Sequence, residues 1–311
     1  MATGSVRLAG PLCSQVLASV DALLFDCDGV LWKGECPIPG AADLVNRLQE
    51  SGKRVFFLTN NSSKGRGLYV EKLRRLGFQT RPDHVFGTAT CAALYLRQET
   101  QLCGSVYLVG SAALRGELLG HGIACSGAGA GPEPNPVGGP AHWAAEPLDP
   151  AVAAVLVGFD EHFSYLKLCR ASRYLRDPAC LFLATNTDTL LPLEAGGVPG
   201  TGCLVKAVEA ASNRTAYVIG KPNDFMFKCI VKEHGIDPDR TIMVGDRLDT
   251  DILMGSNCGL RTILALTGVS SLEEIRANQE SDSPECHKLV PTYYVNSVAD
   301  LLPGLEGQIS T

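Results

Sequence analysis

Short apolar runs alternate with segments of helical periodicity along most of this chain, and few architectures accommodate that rhythm. Val55–Leu58 precedes a segment in which Tyr69, Leu73 and Leu76 recur at helical spacing, closed by Gly77. The same alternation runs from Val106–Val109 into Ser111–Leu119, from Ala153–Val157 into Phe163–Leu175, and from Leu181–Ala184 into Thr201–Ala211. It resumes at Tyr217–Ile219 with a helix from about Asp224, then Ile242–Val244 with a helix from about Thr250, then Thr262–Leu266. Repeated β-α alternation predicts an α/β protein, a parallel sheet with helices on its faces. Ser126–Pro150 breaks the pattern, being crowded with Gly and Pro, and reads as a loop. Gly127, Gly129 and Gly131 within it follow no clear strand and open no helix, so they do not read as a phosphate-cradling loop.

Most informative is the run Leu23–Leu24–Phe25, which stops at Asp26–Cys27–Asp28–Gly29 and continues to Trp32. In open α/β sheets ligands bind beyond the carboxyl ends of the strands, where Asp26 and Asp28 emerge. Two carboxylates that close repel unless a cation lies between them or one holds a proton. The pattern suits a hard divalent metal together with one nucleophile and one acid or base; a turn capped by two aspartates is the plain alternative.

Three further strand ends supply complementary groups. Thr59–Asn60–Asn61–Ser62–Ser63 offers hydroxyls and amides suited to phosphate oxygens. Gly220–Lys221–Pro222 brings a lysine able to neutralise a phosphoryl group and to steady a nucleophilic carboxylate. Gly245–Asp246–Arg247–Leu248–Asp249–Thr250–Asp251 is a second acidic cluster that can complete a magnesium site. Each alone reads equally well as a helix cap, a solvated turn or an acidic helix start; four in this order, each after an apolar run, point to phosphoryl chemistry.

Composition narrows the partners. With 45% hydrophobic and 19% charged residues, the 311-residue chain builds a substantial core. Lys and Arg number 27 against 33 Asp and Glu, a net charge of −6 that argues against nucleic acid or an anionic membrane surface. No apolar run approaches the roughly 18 residues of a membrane span, and Met1–Ser19 shows no secretory pattern. The twelve cysteines lack metal-ligand or framework spacing, which predicts a reduced, cytoplasmic protein with cysteines used as small core residues. Cys27 belongs to that group, since neighbouring carboxylates make its thiol less reactive.

In order, Asp26-x-Asp28–Gly29, Thr59–Asn60–Asn61, Gly220–Lys221–Pro222 and Gly245–Asp251 resemble the motifs of the haloacid dehalogenase superfamily. The likeness is to its capped phosphatases, and among them to vertebrate enzymes of 2-phosphoglycolate and glycerol 3-phosphate. It covers nearly the whole chain, including Phe163–Tyr165, Pro199–Leu204 and Gly268–Ser270, and is weakest in the Gly/Pro segment and the first twenty residues.

The resemblance implies a Rossmann-like parallel-sheet core, 1–104 and 215–311, with an inserted α/β cap at 105–214. It implies Asp26 as nucleophile forming an aspartyl-phosphate, and Asp28 as acid to the leaving alkoxide and then base to water. Thr59 and Asn60, with Asn61, would bind the phosphoryl oxygens, and Lys221 would offset charge. Mg²⁺ would take the Asp26 side chain, the Asp28 carbonyl and Asp246, with Asp251 (or Asp249) orienting Asp246 or a metal-bound water. Asn186–Leu193 resembles the substrate-specificity loop of this branch. Pyridoxal phosphatases carry a histidine where this chain has Leu191, which favours a small phosphorylated metabolite; the plain alternative is that Leu190 and Leu191 pack in the cap core. Pyridoxal 5′-phosphate, a phosphotyrosyl protein or a non-catalytic binding role are the rival readings. Pairing of caps into a homodimer is implied by likeness alone.

Overall fold

A computed structural model describes residues 4–127, 131, 139–191 and 196–305. The chain forms two compact units. The first comprises 1–59, 67–86 and 221–311, and the second 60–66 and 87–220.

The first unit is built on a seven-stranded sheet in the order Val6–Arg7, Tyr293–Val295, Arg261–Ala265, Thr241–Gly245, Ala22–Asp26, Arg54–Thr59, Val85–Gly87. The six strands from Val6–Arg7 to Arg54–Thr59 pair in parallel throughout. Side chains alternate across a strand, so Leu23, Phe25, Val55, Phe57, Ile242 and Val244 share one face. They pack there with Leu44, Leu48, Leu73 and Leu301 from the flanking helices. Leu24, Phe56 and Met243 point the opposite way and are equally buried. A sheet covered on both faces explains why these strands read as unbroken apolar runs.

In the second unit five parallel strands follow the order Tyr217–Val218, Leu181–Ala184, Val152–Val157, Ser105–Val109, Cys125–Ser126. Tyr107, Val109, Val155, Val157, Phe182 and Ala184 pack against Ala171, Leu175, Val205 and Val208 of the covering helices. Ser111 and Ser164 start two of the helices by accepting bonds from the amides of Leu114 and Lys167. The expected α/β architecture is therefore present, in two sheets.

The loop read into Ser126–Pro150 needs correction. Gly139–Ala145 is a helix, with Pro140 in its first turn where a missing amide costs nothing, and with Trp143 buried. The Arg173 guanidinium donates to the carbonyls of Trp143 (2.7 Å) and Glu146 (2.5 Å), satisfying the end of that helix from another element. Positions 128–130 and 132–138 of that segment lie outside the described residues. Among the described residues no helix is long and apolar enough to cross a membrane.

Candidate active site

Ala22–Asp26 is an interior strand of the first sheet, between Thr241–Gly245 and Arg54–Thr59. Because the three strands run in parallel, Asp26, Thr59 and Asp246 all emerge at one edge. Lys221 arrives differently. The strand before it, Tyr217–Val218, belongs to the second sheet, and the chain enters the first unit at Lys221 itself.

The Lys221 ammonium is buried between two carboxylates, bonded to Asp26 and 2.8 Å from Asp251 Oδ1. Asp251 Oδ2 in turn accepts the amides of Asp246 (3.2 Å) and Arg247 (3.1 Å), tying the turn after Gly245 to the lysine. Asp246 Oδ2 accepts the Val269 amide at 2.9 Å. Burial alone would pull Lys221 down, but Asp251 and Asp26 outweigh it and hold the ammonium above its ordinary range. Burial, reinforced by Asp251, pushes the Asp246 carboxyl up to about 7.

Carboxylate oxygens of Asp26, Asp246 and Asp251 lie within 4.8 Å of one another, all three residues buried. Three carboxylates facing one ammonium leave surplus negative charge in a poorly solvated place. An oxygen-only donor set with that charge fits a hard divalent cation.

Two glycines make room for this cluster. Gly29 adopts φ +86°, and a Cβ there would lie 2.4 Å from Asp246 Oδ2. A Cβ on Gly268 would lie 1.8 Å from the same oxygen. Gly268→Ala is accordingly expected to push Asp246 out of place, costing roughly 10²-fold in turnover, as ångström-scale misplacement does. Divalent-cation affinity, titrated calorimetrically, is expected to fall in parallel; unchanged affinity would show that the Asp246 position does not matter.

Asp28 is not in the trio. After Asp26 the chain leaves the strand through a tight turn in which the Leu31 amide donates to the Cys27 carbonyl (2.9 Å). The extended backbone that would put both carboxylates on one side therefore stops at Asp26. Asp28 Oδ1 accepts the Trp32 indole N–H at 2.8 Å. Thr59, buried, donates to the Tyr69 hydroxyl at 3.4 Å. Asp249 faces outward and pairs with Arg247 (3.0 and 2.8 Å), so of the two aspartates weighed for orienting Asp246 it is Asp251 that reaches it. Cys27 is fully buried, and burial beside Asp26 and Asp28 pushes its thiol well up, as expected of a packing residue.

Asn60, Asn61 and Leu191 belong to the second unit. Asn60 Nδ2 donates to Asp188 Oδ2 (3.0 Å), which also accepts from Asn186 Nδ2 (2.5 Å). Asn61 Oδ1 accepts the Ser63 amide (2.9 Å) and hydroxyl (2.6 Å). Half-buried Leu191 helps to line a cavity of about 30 Å³ with Asn61, Ser62, Phe159, Asn186 and Asp188, and Leu190 is 54% exposed rather than packed away. Pro192 and Leu193 of the loop lie outside the described residues.

The sequence assigns no site role to Trp32, Tyr69 or Gly268, and places Asp188 only within the loop Asn186–Leu193. The one signal available for Trp32 was its spacing of four from Asp28.

Two family models match this chain, one described as haloacid dehalogenase-like hydrolase over residues 23–124 and one as HAD-hydrolase-like over 218–301. A glycerol-3-phosphate phosphatase of Gallus gallus is 59% identical over 96% of each chain. A chronophin of Bos taurus is 47% identical over 96% of this chain and 98% of its own. Among solved structures, a 4-nitrophenylphosphatase from Thermotoga maritima superposes with a TM-score of 0.76 at 28% identity, covering 93% of this chain and 98% of its own. The models bracket both acidic motifs and the strand ends that carry them, and the likeness extends through the segment between; the chain belongs to the haloacid dehalogenase-like hydrolases.

Proposed function

We propose that this chain is a Mg²⁺-dependent phosphatase of small phosphate monoesters, with 2-phosphoglycolate and glycerol 3-phosphate as the substrates to test first. The observation that carries the reading is the buried Asp26 carboxylate bonded to Lys221, at the end of the sheet where Asp246 emerges from the neighbouring strand. A relative 59% identical over nearly its full length and named glycerol-3-phosphate phosphatase supports the substrate class.

Asp26 attacks phosphorus and becomes an aspartyl-phosphate; Lys221 holds that carboxylate ionised and in place. Asp28 protonates the departing alkoxide and then takes a proton from the attacking water. Thr59 and Asn60, with Asn61, bond the phosphoryl oxygens. Asp26 and Asp246, with the Asp28 carbonyl, would hold the Mg²⁺, and Asp251 keeps Asp246 aimed. When bound, the cation neutralises developing charge on the phosphoryl group.

The inserted segment 105–214 is read as the cap, with Leu191 in its specificity loop, and as the surface of a homodimer. Twelve cysteines without metal-ligand or framework spacing are in keeping with a reducing, cytoplasmic setting.

Phosphate release from 2-phosphoglycolate, glycerol 3-phosphate, pyridoxal 5′-phosphate and a phosphotyrosyl peptide, with and without Mg²⁺, tests the reading. Mg²⁺-dependent turnover strongest on the two small esters is the expected result. Preference for pyridoxal phosphate would overturn the substrate class while leaving the chemistry, and no release from any ester would overturn the reading itself.

A further inference from the structure

We propose that Trp32 is the positioning residue of the acid/base Asp28, and that its indole N–H decides which carboxyl oxygen carries the transferable proton. This rests on the phosphatase reading above.

Asp28 lies beyond the end of its strand, in a turn where the backbone alone fixes little of the side chain. The turn folds back so that the Gly29 amide donates to the Trp32 carbonyl (2.7 Å) and the Trp32 amide to the Cys27 carbonyl (3.3 Å). That closure brings the indole N–H within 2.8 Å of Asp28 Oδ1.

The indole itself is closely packed. Trp32 is 0% exposed and packs edge-on against Phe78, ring centroids 6.3 Å apart. The Lys72 ammonium lies 4.4 Å from its ring centroid and donates to the Gly34 carbonyl at 2.7 Å. A ring held from several sides transmits its position to whatever its one polar atom bonds.

An indole nitrogen only donates. Asp28 Oδ1 therefore accepts in both protonation states, and because the carbonyl oxygen of a protonated carboxyl is its stronger acceptor, the acid form carries its proton on Oδ2. In the first half-reaction an Asp26 oxygen forms a bond to phosphorus while the P–O ester bond breaks. The electron pair of that bond stays on the departing oxygen, which takes the Oδ2 proton. In the second half-reaction the water oxygen forms a bond to phosphorus while the bond from phosphorus to Asp26 breaks, its electron pair returning to the Asp26 carboxylate, and Oδ2 takes the proton that the water gives up.

This assignment predicts a dependence on leaving group. An alkoxide needs the proton as it departs, whereas 4-nitrophenolate is a stable anion and leaves without it. Loosening Asp28 should slow the first kind of ester far more than the second. kcat/KM is the right readout, because it covers the steps up to loss of the alcohol and excludes the hydrolysis common to both esters.

In Trp32→Phe the ratio of kcat/KM for glycerol 3-phosphate to that for 4-nitrophenyl phosphate is expected to fall roughly thirtyfold or more, part of the roughly 10²–10⁴-fold that a general acid contributes. Site-specific 3-benzothienylalanine at position 32 keeps the shape of tryptophan and lacks the N–H, so the ratio should fall there as well. That replacement also decides the matter if the phenylalanine variant fails to fold. A wild-type ratio in the isostere would overturn the proposal, and a ratio restored only by tryptophan would support it. Failure of the phosphatase reading is distinct: the unaltered protein would then release phosphate from neither ester.

Discussion

Asp26→Asn is expected to abolish turnover while leaving the fold intact. The amide has nearly the shape of the carboxylate, and it occupies the last position of a strand whose backbone ladder does not depend on the side chain. What it lacks is a nucleophilic oxygen bearing charge, so no aspartyl-phosphate forms. Removing the nucleophile from a unit that acts together costs roughly 10⁴ or more in rate. Lys221 keeps Asp251 as a partner at 2.8 Å, and Asp246 keeps the Val269 amide, so the cation site loses one ligand rather than its frame. Phosphate release falling to background, with an unchanged circular dichroism spectrum and retained Mg²⁺ binding, is the expected outcome. Activity within tenfold of the unaltered protein would rule out Asp26 as nucleophile.

Lys221→Met is the second large effect, and it falls on stability as well as rate. The ammonium is 2% exposed and sits between Asp26 and Asp251, themselves buried. Removing one member of such a group leaves uncompensated buried charge, which costs about 3–5 kcal/mol. The sign of the pH dependence follows. Burial raises the Asp26 carboxyl above its value in the unfolded chain, and the lysine is the group that opposes this rise. Without it, stability is fully present below the unfolded value and is lost as pH rises through the raised one. Urea unfolding of the variant is expected to show a wide gap from the parent protein near pH 8 and a narrower one near pH 5. Equal stability at pH 8 would mean that the lysine does not neutralise this cluster.

Both predictions concern groups whose positions were partly legible in the amino-acid sequence. Asp26 and Asp246 stood out because an apolar run ending in a carboxylate means, in a parallel sheet, a carboxylate delivered to one edge. Thr59 followed by the same logic. Lys221 is legible only as a residue type after an apolar run; that run belongs to the second sheet, and no local pattern encodes the lysine's bridge to Asp251. Asp249 and Asp251 were indistinguishable in sequence. They part only because the helical turn at Leu248–Ile252 sends one back to the Asp246 and Arg247 amides and the other out to the Arg247 guanidinium. The Gly139–Ala145 helix was hidden by Gly and Pro around it, since its support comes from Arg173, thirty residues away from the carbonyl it satisfies.

Sequence alone thus determined the parallel α/β class, the strand ends that bear the acidic and hydroxyl groups, and the chemical class those groups serve. These are properties of local pattern, set by a period of two along buried strands and by where each apolar run stops. Tertiary structure alone decided which oxygen of Asp28 is bonded, which aspartate reaches Lys221, and which glycines a carboxylate needs as neighbours. Apart from the Asp28–Trp32 bond, which spans four positions, these contacts join residues separated by tens to hundreds of positions, and the geometry of all of them depends on packing that no local pattern encodes.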